Sequence, residues 1–179
     1  MAEAATFDDI RFEPLSDSNV PKDFDCGDDD LNDFILNDAL KHLEEHVAVT
    51  TLVFYQERLV GFFSLAADCI ALNKTERKKI DDHVRYKEYP ALKICRLAIC
   101  KDGQHRGVGH IVFNIILGFT VEILQPTIGA RFISVDAYQK SEGFYEDLGF
   151  IRNIAEVDKT KDIISMRYDT EPIKPAIDS

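Results

Sequence analysis

A mixed β-sheet with helices on both faces, an α/β (α+β) fold, is the class this sequence predicts, and three patterns predict it. Lys93 to Cys100 is a mostly apolar run of strand length, broken by Lys101-Asp102-Gly103 and followed by apolar residues at helical spacing: Val108, Ile111, Val112, Ile115, Ile116, Phe119 and Ile123. Val47 to Tyr55 and Leu59 to Ala67 are β-rich runs on either side of Gln56-Glu57-Arg58, which reads as a hairpin. The remaining runs complete the order β, α, hairpin, β, α, β, α, β, β. Strands therefore arise both as hairpins and across helices.

The elements follow in order. Ile10 to Leu15 alternates apolar with polar and predicts a short strand ended at Pro14. Phe24 to Leu31 leads into a helix whose first turn is crowded with aspartates, where the helix dipole favours them. Leu31, Phe34, Ile35, Leu40 and Leu43 supply its buried stripe up to about His46. The run Asp28 to Asp30 lacks the glycine and distal glutamate of a calcium loop, so capping is the better reading. Asn73 to Tyr89 is polar, helical around Glu76 to Val84, and closes at Pro90. The helix over 107–125 stops at Pro126, Arg131 to Ala137 is a strand, and Glu142 to Leu148 is a short helix terminated by Gly149. Residues 150–157 and 163–168 form a last strand pair around 158–162.

At 179 residues and 45% hydrophobic, the chain suits one core, and a single domain over 1–179 is expected, with loose tails at 1–9 and 170–179. The net charge of −11 is unevenly spread: residues 1–50 hold 14 acidic and 3 basic side chains, while 74–106 holds ten basic against five acidic. The acidic N-terminal third argues against general nucleic-acid binding through that face and leaves room for a local basic groove. Cys26, Cys69, Cys95 and Cys100 have no CxxC spacing, which points to neither a zinc site nor a secreted disulfide framework; three lie in or beside apolar runs and are expected to be buried thiols. No signal peptide precedes the acidic start, and Ile111 to Leu124 is short for a membrane span. A reducing cytoplasm and no membrane partner are expected.

The unit 93–124 is an anion trap. A strand ends in a glycine-bearing turn, Gln104-His105-Arg106-Gly107-Val108-Gly109-His110, at the head of a long helix. Glycine lets the backbone approach a ligand, and the first free N–H groups with the helix dipole point at negative charge. A nucleotide-hydrolase loop would end Gly-Lys-Ser/Thr, whereas His110 follows Gly109; a dinucleotide fingerprint would need a third glycine and a ribose-binding acid about twenty residues on.

Gln104-x-x-Gly107-x-Gly109 between a strand and a helix resembles the acyl-CoA signature of the GNAT acyltransferase superfamily. Ser134-Val135-Asp136-Ala137 as the next strand and Phe144-Tyr145-Glu146-Asp147-Leu148-Gly149-Phe150, similar to that family's FYxxxGF element, extend the likeness over roughly 47–168. The resemblance implies a sheet splayed near its middle with acetyl-CoA as co-substrate in the gap and no metal. Leu97, Ala98 and Ile99 would meet the pantetheine arm, and Gln104, His105, Arg106, Gly107, Val108, Gly109 and His110 would cradle the pyrophosphate. Arg106 and Lys101 stand where phosphates would arrive.

A narrower likeness, carried by Phe24-Asp25-Cys26-Gly27 with Leu31, Gly61-Phe62-Phe63-Ser64-Leu65 and Arg96-Leu97-Ala98-Ile99, is to the branch that includes toxins acetylating the amino group of aminoacyl-tRNA. The function expected is acetyl transfer from acetyl-CoA to a primary amine by direct attack in a ternary complex. The alternative is the toxin-type reaction on aminoacyl-tRNA, the one setting in which nucleic acid is expected as a partner. A non-enzymatic acyl-CoA sensor is the third reading, and a C-terminal edge strand offers a surface for a homodimer.

The reaction needs a base for the amine, donors for the oxyanion and an acid for the thiolate. A backbone N–H near Leu97 to Ile99 suits the second task. Family likeness makes Tyr145 the acid; without it, Tyr145 would read as packing beside Phe144 and Phe150. Asp68, Glu88, Asp136, His83 and a water chain are the options for the base. His105 and His110, five apart, do not share a helical face and make a poor metal pair. Cys95 and Cys100 have no partner histidine and read as packing. Arg96, on the opposite strand face from Leu97, either holds a carboxylate or faces the acceptor, the first being favoured. The basic segment 74–87 reads as a solvated helix face.

Overall fold

The computed structural model describes residues 9–80, 86–153 and 163–171. Residues 1–8 and 172–179 of the tails expected at 1–9 and 170–179, the helix end at 81–84 with His83, and residues 154–162 lie outside the described residues, whereas Thr170 is buried. Seven strands, β1 (Ile10–Pro14), β2 (Val49–Tyr55), β3 (Arg58–Ala71), β4 (Glu88–Ile99), β5 (Phe132–Tyr138), β6 (Ile151–Arg152) and β7 (Ile163–Asp169), follow the order β1-β2-β3-β4-β5-β7-β6 in one sheet. Pairs β1–β2, β2–β3, β5–β7 and β6–β7 are antiparallel. Two compact units divide the chain, residues 1–66 with 94–114 and residues 67–93 with 115–179.

In the first unit the aspartate-rich entry works as a cap. Asp28 Oδ1 accepts from Leu31 N at 3.2 Å and opens α1 (Asp29–Asp33), which continues through a π-turn (Phe34–Asp38) into α2 (Ala39–Glu44). Phe34, Ile35 and Ala39 pack with Leu52, Phe62 and Ala98 of β2, β3 and β4, and Leu31 and Leu40 cover the cluster. Burial of side chains of this size contributes about 1.5–3 kcal/mol each. The hairpin turns on Gln56 and Glu57, both left-handed at φ 47° and 65°, with Tyr55 opposite Arg58. This two-residue turn matches the right-handed twist of its strands.

β3 and β4 touch where Gly61 sits. A Cβ there would lie 2.6 Å from the Ala98 carbonyl oxygen and 2.7 Å from Ile99 Cδ1. Gly61→Ala is therefore expected to cost about 2 kcal/mol as an overpacked site, lowering the melting temperature by roughly 4–8 °C in a thermal unfolding scan. A variant melting with the parent would show that β4 yields freely at Ala98.

In the second unit, α3 (Lys74–Ile80) opens with a reciprocal cap. Asn73 Oδ1 accepts from the amides of Thr75 (2.9 Å) and Glu76 (3.0 Å), and Glu76 Oε2 accepts from Asn73 N at 3.0 Å. Ile80 of α3 lies on the cluster Ile70, Leu72, Tyr89, Ala91 and Phe132. The segment read as a solvated face is thus half core: Lys74 and Lys78 face water, while Glu76 is held by the Arg167 guanidinium of β7.

α4 (Val108–Phe119) passes through a π-turn (Thr120–Leu124) into α5 (Gln125–Thr127), so the helix does not stop before Pro126 but carries it in its last turn. In the wider turn the Gln125 amide reaches back to Thr120 O, and proline has no N–H to place. The whole helix, Val108–Thr127, is 20 residues and by length and composition alone could cross a membrane, longer than the segment read from sequence. Val108, Val112, Phe113, Ile116 and Val121 are buried, but Phe119 and Ile123 from the expected stripe are exposed. The extra residue of the π-turn moves Val121 inward in place of Ile123. β5 leads into α6 (Glu142–Asp147), which closes as expected on Gly149 (φ 95°), with Phe150 N donating to Tyr145 O at 2.9 Å.

Candidate active site

The anion loop belongs to the first unit. Gly107 is left-handed at φ 81° with open space where a Cβ would point, and His105 is left-handed at 58°. These turns place the chain ahead of α4 so that the amides of His105, Gly107, Val108 and Gly109 have no hydrogen-bond partner among the described residues. His110 N, by contrast, reaches Gly107 O at 3.1 Å. Four amides at one helix head, with the dipole behind them, fit a pyrophosphate. A cavity of about 400 Å³ lies beside them, lined by Tyr55, Gln56, Arg58, Gly103 and Arg106.

Gln104 has a different task from the one its motif suggests. Its Nε2 donates to Cys26 O at 2.8 Å and to Ile99 O at 2.9 Å, so the side chain ties the loop to the end of β4 and to the segment before α1. Gln104→Ala removes both bonds. Acetyl-CoA affinity is expected to fall roughly tenfold, equivalent to about 1.4 kcal/mol, in a calorimetric titration. Unchanged affinity would mean that the glycines alone hold the loop.

Of the two cations expected at the phosphates, Arg106 stays by the loop, its guanidinium 5.3 Å from the Tyr55 ring centroid. Lys101 does not: its Nζ lies 2.5 Å from Asp25 Oδ2, which raises the lysine pKa and lowers that of Asp25. Leu97 and Ile99 are half-buried, whereas Ala98 between them faces the core under α1 and α2. Arg96 shares the Ala98 face, 5.2 Å from the Phe34 ring and 3.9 Å from Asp30 Oδ2, the carboxylate-holding role expected of it. His105 and His110 are exposed, and no cluster of metal-ligating side chains occurs among the described residues. The thiols differ from expectation: Cys26 and Cys100 are buried, Cys95 is half-buried, and Cys69 is exposed because the strand alternation turns it out beside Ile70. Burial raises the Cys26 thiol pKa, which keeps it unreactive.

The second unit holds the candidate acid and the candidate bases. The Tyr145 ring is buried between Phe144 and Phe150, at centroid distances of 5.2 and 5.3 Å. Burial raises its phenol pKa, and its hydroxyl makes no hydrogen bond among the described residues. Asp136 is paired with Lys93 Nζ at 2.6 Å, Glu88 is exposed beside the Cys69 thiol, and Asp68 accepts a hydrogen bond from the Ser134 hydroxyl. Sequence reading named these acids but not their partners. Ser134 and Asp68 are 66 positions apart, and only the sheet brings them together.

No protein-family profile matches the chain. A tRNA-acetylating toxin of Mycobacterium tuberculosis (strain ATCC 25618 / H37Rv) is 26% identical over 140 residues, covering 76% of this chain and 81% of that protein. A crystal structure of a bacterial toxin superposes with a TM-score of 0.76 at 16% identity, over 91% of this chain and 92% of the other. AtaT complexed with acetyl-methionyl-tRNAfMet gives a TM-score of 0.74 at 21% identity, over 92% and 96%.

The chain has a GNAT-like mixed α/β fold. Within that GNAT fold, the two motifs that suggested it fall on the turn before α4 and on α6.

Proposed function

We propose that this GNAT-fold protein is an acetyl-CoA-dependent N-acetyltransferase whose acceptor is the α-amino group of an aminoacyl-tRNA. The observation that carries the first half is the set of unpartnered amides at His105, Gly107, Val108 and Gly109, a built receptor for the pyrophosphate of the acyl donor. The acceptor is supported by the likeness to a tRNA-acetylating toxin and to AtaT with its acetylated tRNA. It narrows the broader expectation of a primary amine. The amino group of an aminoacyl ester is mostly protonated at neutral pH and must lose a proton before it can attack.

In the reaction, the free amine attacks the thioester carbonyl and the C–N bond forms. Backbone N–H of β4 near Leu97 to Ile99 would hold the oxyanion. The C–S bond then breaks, and the thiolate takes the phenolic proton of Tyr145, a group kept neutral by its burial. Four thiols without a disulfide support a reducing cytoplasm as its place. The outer sheet edge, with Ile151 55% and Ile163 43% exposed, supports a second copy as a partner.

The experiment supplies labelled acetyl-CoA with charged tRNA, deacylated tRNA, peptides and small amines, and reads products by mass spectrometry. Acetylated aminoacyl-tRNA alone is expected. Acetyl transfer confined to free amines would overturn the acceptor, and no uptake of acetyl-CoA in calorimetry would overturn the enzyme.

A further inference from the structure

We infer that Asp68 is the group that receives the acceptor's ammonium and takes its proton, with Ser134 as the residue that positions it. The inference rests on the acetyltransferase reading above. The carboxylates described in and around the second unit's strand segments, 67–71 of β3, 88–93 of β4 and all of β5, are distinguished by their partners. Glu76 is used on both oxygens, by Arg167 and by the Asn73 amide. Asp136 is neutralised by Lys93 at 2.6 Å. Glu88 stands exposed at the start of β4 beside the Cys69 thiol, 3.9 Å away.

Asp68 is half-buried and fixed on one oxygen, with no second hydrogen bond among the described residues. Its Oδ2 accepts from Ser134 Oγ, which is 3% exposed, and no cation or further donor meets it among the described residues. By strand alternation Asp68 lies on the same face of β3 as Ile70, and Ser134 on the same face of β5 as Phe132. Ile70 and Phe132 share one apolar cluster, so the carboxylate stands at the rim of a dry floor. Ser134 also lies on the strand that leads directly into α6 and Tyr145. The neighbouring charges are paired, Lys93 with Asp136 and Arg167 with Glu76. Among the described residues Asp68 meets no cation, and a carboxylate aimed by one donor beside an apolar surface attracts and deprotonates an ammonium.

The proton balance is simple. The ammonium gives one proton to Asp68, which passes it to solvent. The amine then attacks, and the tetrahedral nitrogen sheds its second proton. Over the cycle one proton goes to the CoA thiolate by way of Tyr145 and one goes to water.

The test uses the full chain, labelled acetyl-CoA and a pool of charged tRNA. Asp68→Asn is expected to lower kcat about 100-fold, the low end of general-base effects, while acetyl-CoA affinity by calorimetry and the melting temperature stay at parent values. Asp68→Ala is expected to regain part of its rate with added formate, which a purely structural role would not allow. Ser134→Ala, which keeps the carboxylate, is the second variant should Asp68→Asn fold poorly, and a roughly tenfold loss in kcat with little change in KM is expected. Asp68→Asn within threefold of a parent that acetylates charged tRNA would overturn this inference and leave the enzyme reading intact. An acetyl-CoA affinity that falls with kcat would also overturn it. A parent that transfers no acetyl group removes both.

Discussion

Tyr145→Phe is expected to bind acetyl-CoA like the parent and to transfer its acetyl group about 100-fold more slowly, the scale of a lost general acid. The change removes one oxygen and leaves the ring where Phe144 and Phe150 hold it, so stability should move by less than about 1 kcal/mol. Single-turnover transfer to charged tRNA, with calorimetry for the donor, separates the outcomes. Full activity in the phenylalanine variant would make Tyr145 a packing residue only. The pH dependence has a definite sign. Burial raises the phenol pKa above its ordinary value of 10.0 in the folded chain. The folded state therefore holds its proton where the unfolded chain loses it, and this contribution to stability is complete below about pH 10 and declines above it. No alkaline loss of rate between pH 7 and about 9 should trace to Tyr145.

Arg167→Met is expected to be the most destabilising single change in the second unit. Arg167 is 5% exposed, donates to Asn153 Oδ1 at 2.7 Å and is paired with Glu76. Asn153 is itself 2% exposed and donates to Ser165 Oγ at 2.9 Å. Removing the guanidinium leaves a carboxylate and an amide oxygen poorly solvated, a loss of about 3–5 kcal/mol. The melting temperature should fall by roughly 6–20 °C. The double variant Arg167→Met with Glu76→Gln should recover part of this, because the penalty comes from the stranded charge rather than from the missing pair. A double variant no better than the single one would place the cost in packing against Phe132, whose ring lies 5.9 Å from the guanidinium.

Local chemistry made much of this legible in the sequence. The aspartates ahead of α1, Gly149 after α6, and the glycine turn before α4 each specify their geometry through neighbours a few residues away, and each stands where expected. What depended on distance did not show. Glu76 looked like one charge on a wet helix, yet its partner Arg167 lies 91 positions on, across the sheet. Lys101 looked like a phosphate ligand because it precedes the loop, but Asp25, 76 positions earlier, claims it. Gln104 looked like part of a ligand cradle, and its side chain ties the loop to Cys26 O, 78 positions earlier, and to Ile99 O. The two π-turns were hidden for another reason: an added backbone residue changes helical phase without a residue type that signals it.

The amide of Gln104 grasps the peptide at Cys26, and that peptide opens the most negative stretch of the chain. A donor that tightens the glycine turn must then pull on the strand of backbone leading to Asp28, Asp29 and Asp30. Filling the helix mouth would thereby stiffen a fringe of carboxylates that no part of the donor contacts, and slower amide hydrogen exchange at Gly27 and Leu31 in the loaded protein would register that pull.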